Sequence, residues 1–319
     1  MTKVEIFTGF DVSKDQLDFC TLGGAEKSGS GKVAFNAQGL KSLLRKIPSG
    51  SHCVMEATGP YHVKLATWLF KNGYAVSVVN PLVIKHFSRM NLRRAKTDKA
   101  DARIIASYGQ REKPALWEPP AAYMVKLQQL EALLDLQIKH HTAQKNQLHS
   151  IEATGKADPF VRNQLKKLIE YTKKIIQKQE DEILKVIDNE HKAMLKNLTS
   201  IPGIGKKTAV ALIVATGGFT RFDSHKKLIS YLGLCPRIFE SGSSVRGRSR
   251  ICKLGMVRIR KFLYMCTWSA IKANEACKEM YERLVENGKP KMVALIAVAN
   301  KLVRMAFAIA KSGEKYQPV

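Results

Sequence analysis

The sequence predicts three parts: an α/β domain over residues 1–118, a long helical coiled-coil spacer over 119–194 and a mostly helical domain over 195–319. Three observations lead there. Short runs rich in Val, Ile, Phe and Thr alternate with helical patterns in the first third. Two long stretches in the middle repeat apolar residues every three or four positions. The last third is dominated by apolar helical periodicity.

In the first third, Val4 to Asp11 (VEIFTGFD) reads as a strand ending at the turn-forming DVSKD, and Gln16 to Leu22 as its hairpin partner. Lys32 to Asn36 reads as a short third strand. Leu40, Leu43, Leu44 and Ile47 mark a helix, and His52 to Met55 a strand that delivers Glu56. A helix over Val63 to Lys71 and a strand over Tyr74 to Val79, closed by Asn80-Pro81, follow. Lys96 to Ala106 reads as a helix behind Thr97, a residue suited to the N-cap. The order β-β-β-α-β-α-β-α is the pattern of an RNase H-like α/β fold, whose sites gather at strand ends.

Four acids stand out on that frame. Asp11 ends the first strand and Glu56 the fourth. Asp98 and Asp101 are three residues apart and share one helix face. Taken alone, acids in a first helical turn are ordinary complements to the helix dipole. Taken with two strand-end carboxylates, they supply the oxygen donors that Mg²⁺ prefers, with Mn²⁺ as a substitute. Two such ions can stabilise both the attacking and the leaving oxygen of a phosphodiester. Asp15 and Asp18 on the hairpin and Glu5 in mid-strand fit less well.

Composition narrows the partner. The chain has 319 residues and a net charge of +26. A field of that sign and size draws polyanions, nucleic acid ahead of anionic membranes. No run of 18 or more apolar residues is seen and Met1 to Asp11 lacks an apolar signal region, so a cytoplasmic, nucleoid-associated protein without a membrane is expected. The six cysteines form neither CxxC pairs nor zinc-finger spacings and read as reduced thiols.

The spacer has helices over Ala122 to Ile151 and Phe160 to His191, broken at residues 153–159. Its lysine-rich face reads as solvated surface, or as an oligomerisation element with some phosphate contact. In the last third, residues 201–209 (IPGIGKKTA) form a helix-hairpin-helix type turn. Gly203 and Gly205 allow close backbone approach, and Lys206 and Lys207 add charge where helix N–H groups face a phosphate; a plain helix-connecting turn is the alternative. Residues 239–250 (FESGSSVRGRSR) are small and basic. They read either as a loop gripping phosphate or as the site of a serine nucleophile, with Arg246, Arg248 and Arg250 as phosphate clamps.

Together, GFDVSKDQLD, MEATGPY, VVNP, KTDKADARIIA, SIPGIGKKTA and ESGSSVRGRSR resemble, in order and spacing, the DEDD insertion-sequence transposases, which include the Piv-type invertases. The resemblance covers nearly the whole chain. It implies a RuvC-like first domain, a coiled coil and a C-terminal transposase domain bearing a catalytic serine. By motif that serine is Ser241, with Ser243 and Ser244 beside it. It further implies Mg²⁺ at Asp11, Glu56, Asp98 and Asp101, and a multimer (dimer or tetramer) whose active sites are able to combine domains of different subunits. Donor and target DNA are the implied partners, with a structured guide RNA in several members. The rival readings are a RuvC-like junction resolvase that cuts with water, a Piv-type invertase and a non-catalytic nucleic-acid binder.

Overall fold

The structure is a computed structural model and describes residues 5–23, 29–91, 98–237, 240–241, 245–246, 250–252 and 254–318. It divides into two compact units, residues 1–120 and 121–319. The expected spacer helices group with the second unit.

The first unit is built on one mixed sheet. Its strands are β1 (Phe7–Val12), β2 (Gln16–Leu22), β3 (Gly29–Ala34), β4 (His52–Glu56) and β5 (Ala75–Val79), in the order β3-β2-β1-β4-β5. The β1–β2 and β2–β3 pairs are antiparallel, and β1–β4 and β4–β5 are parallel. That is the expected meander followed by crossovers.

Strand alternation sorts the side chains onto two faces. Phe10, Val12, Leu17, Phe19, Cys53 and Met55 pack under Leu40, Leu43 and Ile47 of α1 (Ala37–Lys46) and Leu65, Ala66 and Leu69 of α2 (Tyr61–Lys71). On the other face, Phe7 and Val54 meet Ile84 and Phe87 of α3 (Pro81–Met90) and Ile104 and Ile105 of α4 (Asp98–Glu112). The sheet is therefore covered on both sides, as its parallel half requires.

Among its described residues, the second unit is helical apart from four two-residue strands and the connecting turns. The helices α5 (Ala122–Ala153) and α6 (Pro159–Glu190) form an antiparallel hairpin. Lys126 pairs with Glu182 at 2.6 Å near one end, and Thr172 Oγ1 donates to Gln144 Oε1 at 2.9 Å further along. The base of the hairpin, through Met124, Leu127, Ile183 and Ile187, joins one core with α8 (Lys206–Thr216), α10 (Val257–Ala273) and α12 (Lys291–Ser312). Every residue of α8 from Thr208 to Thr216 is buried. The helix α12 is long and apolar enough to pass for a membrane span. Its Leu295, Val298, Leu302, Val303 and Ala306 are all buried in the core, which accounts for the apolar composition without a membrane.

Two histidines make stability depend on pH. Burial holds the imidazoles of His52 and His191 below the ordinary value of 6.5. Both are more easily protonated unfolded than folded. Their contribution is thus fully present above about pH 6.5 and is lost as pH falls towards the lower folded values. The urea midpoint is expected to fall between pH 7 and pH 5, and to fall less in a His52→Gln/His191→Gln protein. Equal slopes in the two proteins would contradict this.

Candidate active site

The acids are placed by strand parity and by one close contact. The parallel β1–β4 register runs from Phe7 opposite His52 to Phe10 opposite Met55. One step further sets Asp11 beside Glu56, at the strands' carboxyl ends. Both have the parity of Phe7 and Val54, so both lie on the face that α4 covers. Asp11 and Glu56 are half-buried, where Val12 and Met55, on the opposite face, are buried. A tight turn closes after Glu56: Thr58 N–H donates to the Glu56 carbonyl at 2.8 Å and Thr58 Oγ1 donates to Glu56 Oε1.

The direction of α4 follows from two glycines. A Cβ placed on Gly9 would lie 2.3 Å from both the Ala102 carbonyl oxygen and the Ala106 nitrogen. One placed on Gly109 would lie 2.7 Å from Val54 Cγ2 and 3.1 Å from Phe7 Cδ1. From Gly109 to Ala102 the helix thus travels from Phe7 towards Gly9, antiparallel to β1. Asp101 adjoins the contact at Gly9, and Asp98, at the first position of α4, lies a turn further towards Asp11 and Glu56. Asp101 is half-buried; the side chain of Asp98 is outside the described residues.

The antiparallel register adds an acid that the sequence reading set aside. Asp18 is directly opposite Asp11, and opposed residues of such a pair share a face. It is 8% exposed, takes a hydrogen bond from Gln16 Nε2 at 2.9 Å and has Lys32 Nζ at 4.0 Å. On the hairpin it fitted the carboxylate set less well, but the parity of QLD relative to Asp11 was the available signal.

Carboxylates brought to one sheet edge from β1, β4 and α4 suit a hard divalent cation in donor chemistry. Among the described residues, no three His, Cys, Asp or Glu side chains are gathered closely enough to hold an ion by themselves. The fit therefore rests on backbone placement and includes the position of Asp98.

In the second unit, Ser241 belongs to β7 (Glu240–Ser241), which pairs with β8 (Val245–Arg246) in a register that sets the Ser241 backbone opposite that of Val245. Flanking this, β6 (Pro236–Arg237) pairs with β9 (Arg250–Ile251). The basic stretch thus contains two short ladders where a loop was expected. Arg246 and Arg250 stand on β8 and β9. Ser243, Ser244 and Arg248 lie outside the described residues.

The 201–209 motif is a turn between α7 (Lys192–Thr199) and α8. Gly203, at φ +104°, seats the turn on α10, where an added Cβ would lie 2.6 Å from Ala270 Cβ. Gly205 is the N-cap of α8 and offers no side-chain cap, which leaves the first amides open to an acceptor. Lys206 is exposed beside them. Lys207 is already paired, its Nζ 2.6 Å from Glu180 Oε1.

Comparison with known proteins matches both halves of the chain. Residues 8–151 fit a DEDD family model described as a transposase, and residues 195–282 one described as the IS116/IS110/IS902 transposase family. A pilin gene-inverting protein of Moraxella bovis is 33% identical over 97% of each chain. The chain belongs to the IS110/IS116 family of DEDD transposases. The IS1111A transposase of Coxiella burnetii is 23% identical over 97% of this chain and 90% of its own. Membership makes this DEDD transposase a DNA recombinase that acts on DNA, and its DEDD domain suggests use of a divalent metal.

The contact at Gly9 is open to test. Both atoms facing the missing Cβ are backbone, so neither can rotate away. Gly9→Ala is expected to cost about 3 kcal/mol, the upper part of the usual range for overpacking, as read by urea unfolding. A loss below about 0.5 kcal/mol, the scale of an ordinary surface change, would show that α4 does not rest on β1 there.

Proposed function

We propose that this transposase cuts and rejoins DNA for insertion-sequence movement with Ser241 as nucleophile and Asp11, Glu56, Asp98 and Asp101 as the carboxylates that hold Mg²⁺. What supports the reading is the backbone placement of Asp11, Glu56 and the start of α4 at the carboxyl end of the β1–β4 pair, in a chain whose two halves both match transposase models.

The serine Oγ attacks the scissile phosphorus and gives its proton to solvent, and the bond to one strand oxygen breaks, that oxygen taking up a proton from solvent. This leaves a phosphoserine diester and a free strand hydroxyl. A hydroxyl of a new strand end then attacks the same phosphorus and releases the serine. The number of phosphodiesters is conserved, so no external energy source is needed. Mg²⁺, when bound, would offset the negative charge that builds on the phosphate during displacement. Arg246, Arg248 and Arg250 act as cationic partners of the phosphate oxygens. Gly203, Gly205, Lys206 and Lys207 grip backbone phosphate without reading sequence; of these, Lys206 and the open amides of α8 are the better placed, because Lys207 would first have to leave Glu180.

A homo-oligomer is part of the proposal. Beyond the hairpin base, α5 and α6 keep Leu136, Phe160, Leu168 and Tyr171 exposed at 46%, 71%, 47% and 64%. Apolar side chains of that size on a helical hairpin are suited to cover by a second copy. A structured guide RNA is the proposed source of sequence choice, and the cytoplasm the proposed compartment. Inversion of a resident segment is a second reading, favoured by the full-length similarity to the pilin gene-inverting protein.

The test uses full-length protein, DNA carrying element ends, the element's flanking transcripts and Mg²⁺. Wild type is expected to give a covalent protein–DNA adduct on a denaturing gel, and rejoined product. Ser241→Ala and Asp11→Ala should each lower strand cleavage by about 10³-fold or more, as for residues that act as one unit. Cleavage retained in Ser241→Ala would establish hydrolysis by water and overturn the serine mechanism. Placing the ends as inverted sites on one plasmid separates inversion from transposition by product size.

A further inference from the structure

The six cysteines fall into two groups. Cys20, Cys53, Cys266 and Cys277 are buried, while Cys235 and Cys252 are partly exposed. Burial pushes the Cys53 thiol up to about 12 and raises that of Cys277. Cys266 Sγ is 3.2 Å from Thr208 Oγ1. Thiols packed in this way are poor nucleophiles.

The two partly exposed cysteines are opposite each other in the backbone register. The β6–β9 register pairs Pro236 with Ile251 and Arg237 with Arg250. Cys252 N–H donates to the Cys235 carbonyl at 2.8 Å, which carries the ladder one residue further. Directly opposed residues share a face, and in a hydrogen-bonded pair their Cα atoms are about 5.5 Å apart. That lies inside the range of about 4.4–6.8 Å that a disulfide spans.

Their position gives the pair a consequence. They stand at the two ends of the 236–251 stretch that carries Ser241. Just outside them the chain crosses itself closely. A Cβ on Gly233 would lie 2.2 Å from the Leu254 carbonyl oxygen, and one on Gly255 would lie 2.4 Å from that of Tyr231. Arg260 Nη1 donates to the Leu232 carbonyl at 3.0 Å. The neck of the serine-bearing stretch is thus already held by backbone contacts, and a bond between the two thiols would close it covalently.

We propose that Cys235 and Cys252 form a redox-modification site, at which a small-molecule disulfide such as glutathione disulfide oxidises the pair to an intramolecular disulfide that slows strand cleavage. One thiolate attacks the small disulfide, forms a mixed disulfide and releases one small thiol. The second thiolate attacks the protein sulfur of that mixed disulfide and releases the other small thiol. The protein loses two electrons and two protons, and the small disulfide is reduced to two thiols. Closing the neck limits the opening of the ladders around Ser241. This effect on rate rests on the serine reading above; the cross-link itself does not.

The experiment incubates native full-length protein with glutathione disulfide. The expected result is loss of both reagent-accessible thiols, with a Cys235–Cys252 linked peptide in the non-reduced digest. Strand cleavage should fall several-fold and return on reduction. Cys235→Ser and Cys252→Ser proteins, with unfolding midpoints checked against wild type, should form no link and keep their rate under oxidant. Stable glutathione adducts on both residues without a link would overturn the site. A full link with unchanged cleavage would overturn the control of rate. Absence of cleavage in the reduced wild type would instead count against the serine reading, with the peptide map still deciding the cross-link.

Discussion

The first unit depends on a backbone-to-backbone approach. At Gly9 the sheet has no side chain, and α4 settles until its Ala102 carbonyl and Ala106 amide occupy the space a Cβ would need. Small residues on the helix make this feasible, since Ala102 and Ala106 are both fully buried. Ile104 and Ile105 then fill the core beside Phe7 and Val54. A helix lowered onto a strand in this way has its axial position fixed to within a fraction of a turn. The start of α4 is fixed with it, towards the strand ends where Asp11 and Glu56 stand.

The same logic, close packing that positions chemistry at an element's end, recurs in the second unit. The helix α8 is buried from Thr208 to Thr216, so the exposed first turn with Lys206 extends from a rigid rod. Gly203 sets the turn before it against Ala270. The stretch bearing Ser241 hangs between α9 (His225–Leu232) and α10, with Gly233 and Gly255 crossing at its neck. Arg258, early in α10, is paired with Glu131 and with Asp135, 3.0 Å away, which ties the exit of that stretch to α5. Burial raises the Glu131 carboxyl, and Arg258 beside it opposes the rise.

Much of this was legible in the sequence because it depends on local periodicity. The strands β2 and β4 and the two long helices announce themselves by alternation or by three- and four-residue spacing. So do the acids, because a turn after VEIFTGFD or HCVME leaves an acid at the strand end. What escaped depends on partners distant in sequence or on very short elements. The helix α3 was hidden because Asn80-Pro81 reads as a stop, whereas Asn80 caps the helix by accepting from Leu82 N–H and Pro81 occupies its first turn. Asp18 needed the register with Asp11, and Lys207 needed Glu180 from another helix. Strands of two residues around Ser241 are too short to show any alternation.

In the proposed mechanism β1, β4 and α4 deliver one carboxylate site. Mn²⁺ titration followed by electron paramagnetic resonance tests it most directly, on the wild type and on Asp11→Asn, Glu56→Gln, Asp98→Asn and Asp101→Asn proteins of matched unfolding midpoint. One shared site predicts that each substitution weakens Mn²⁺ binding, whichever of the three elements it falls on. Wild-type affinity retained on losing Glu56, or on losing both Asp98 and Asp101, would show that the elements do not converge on a common ion.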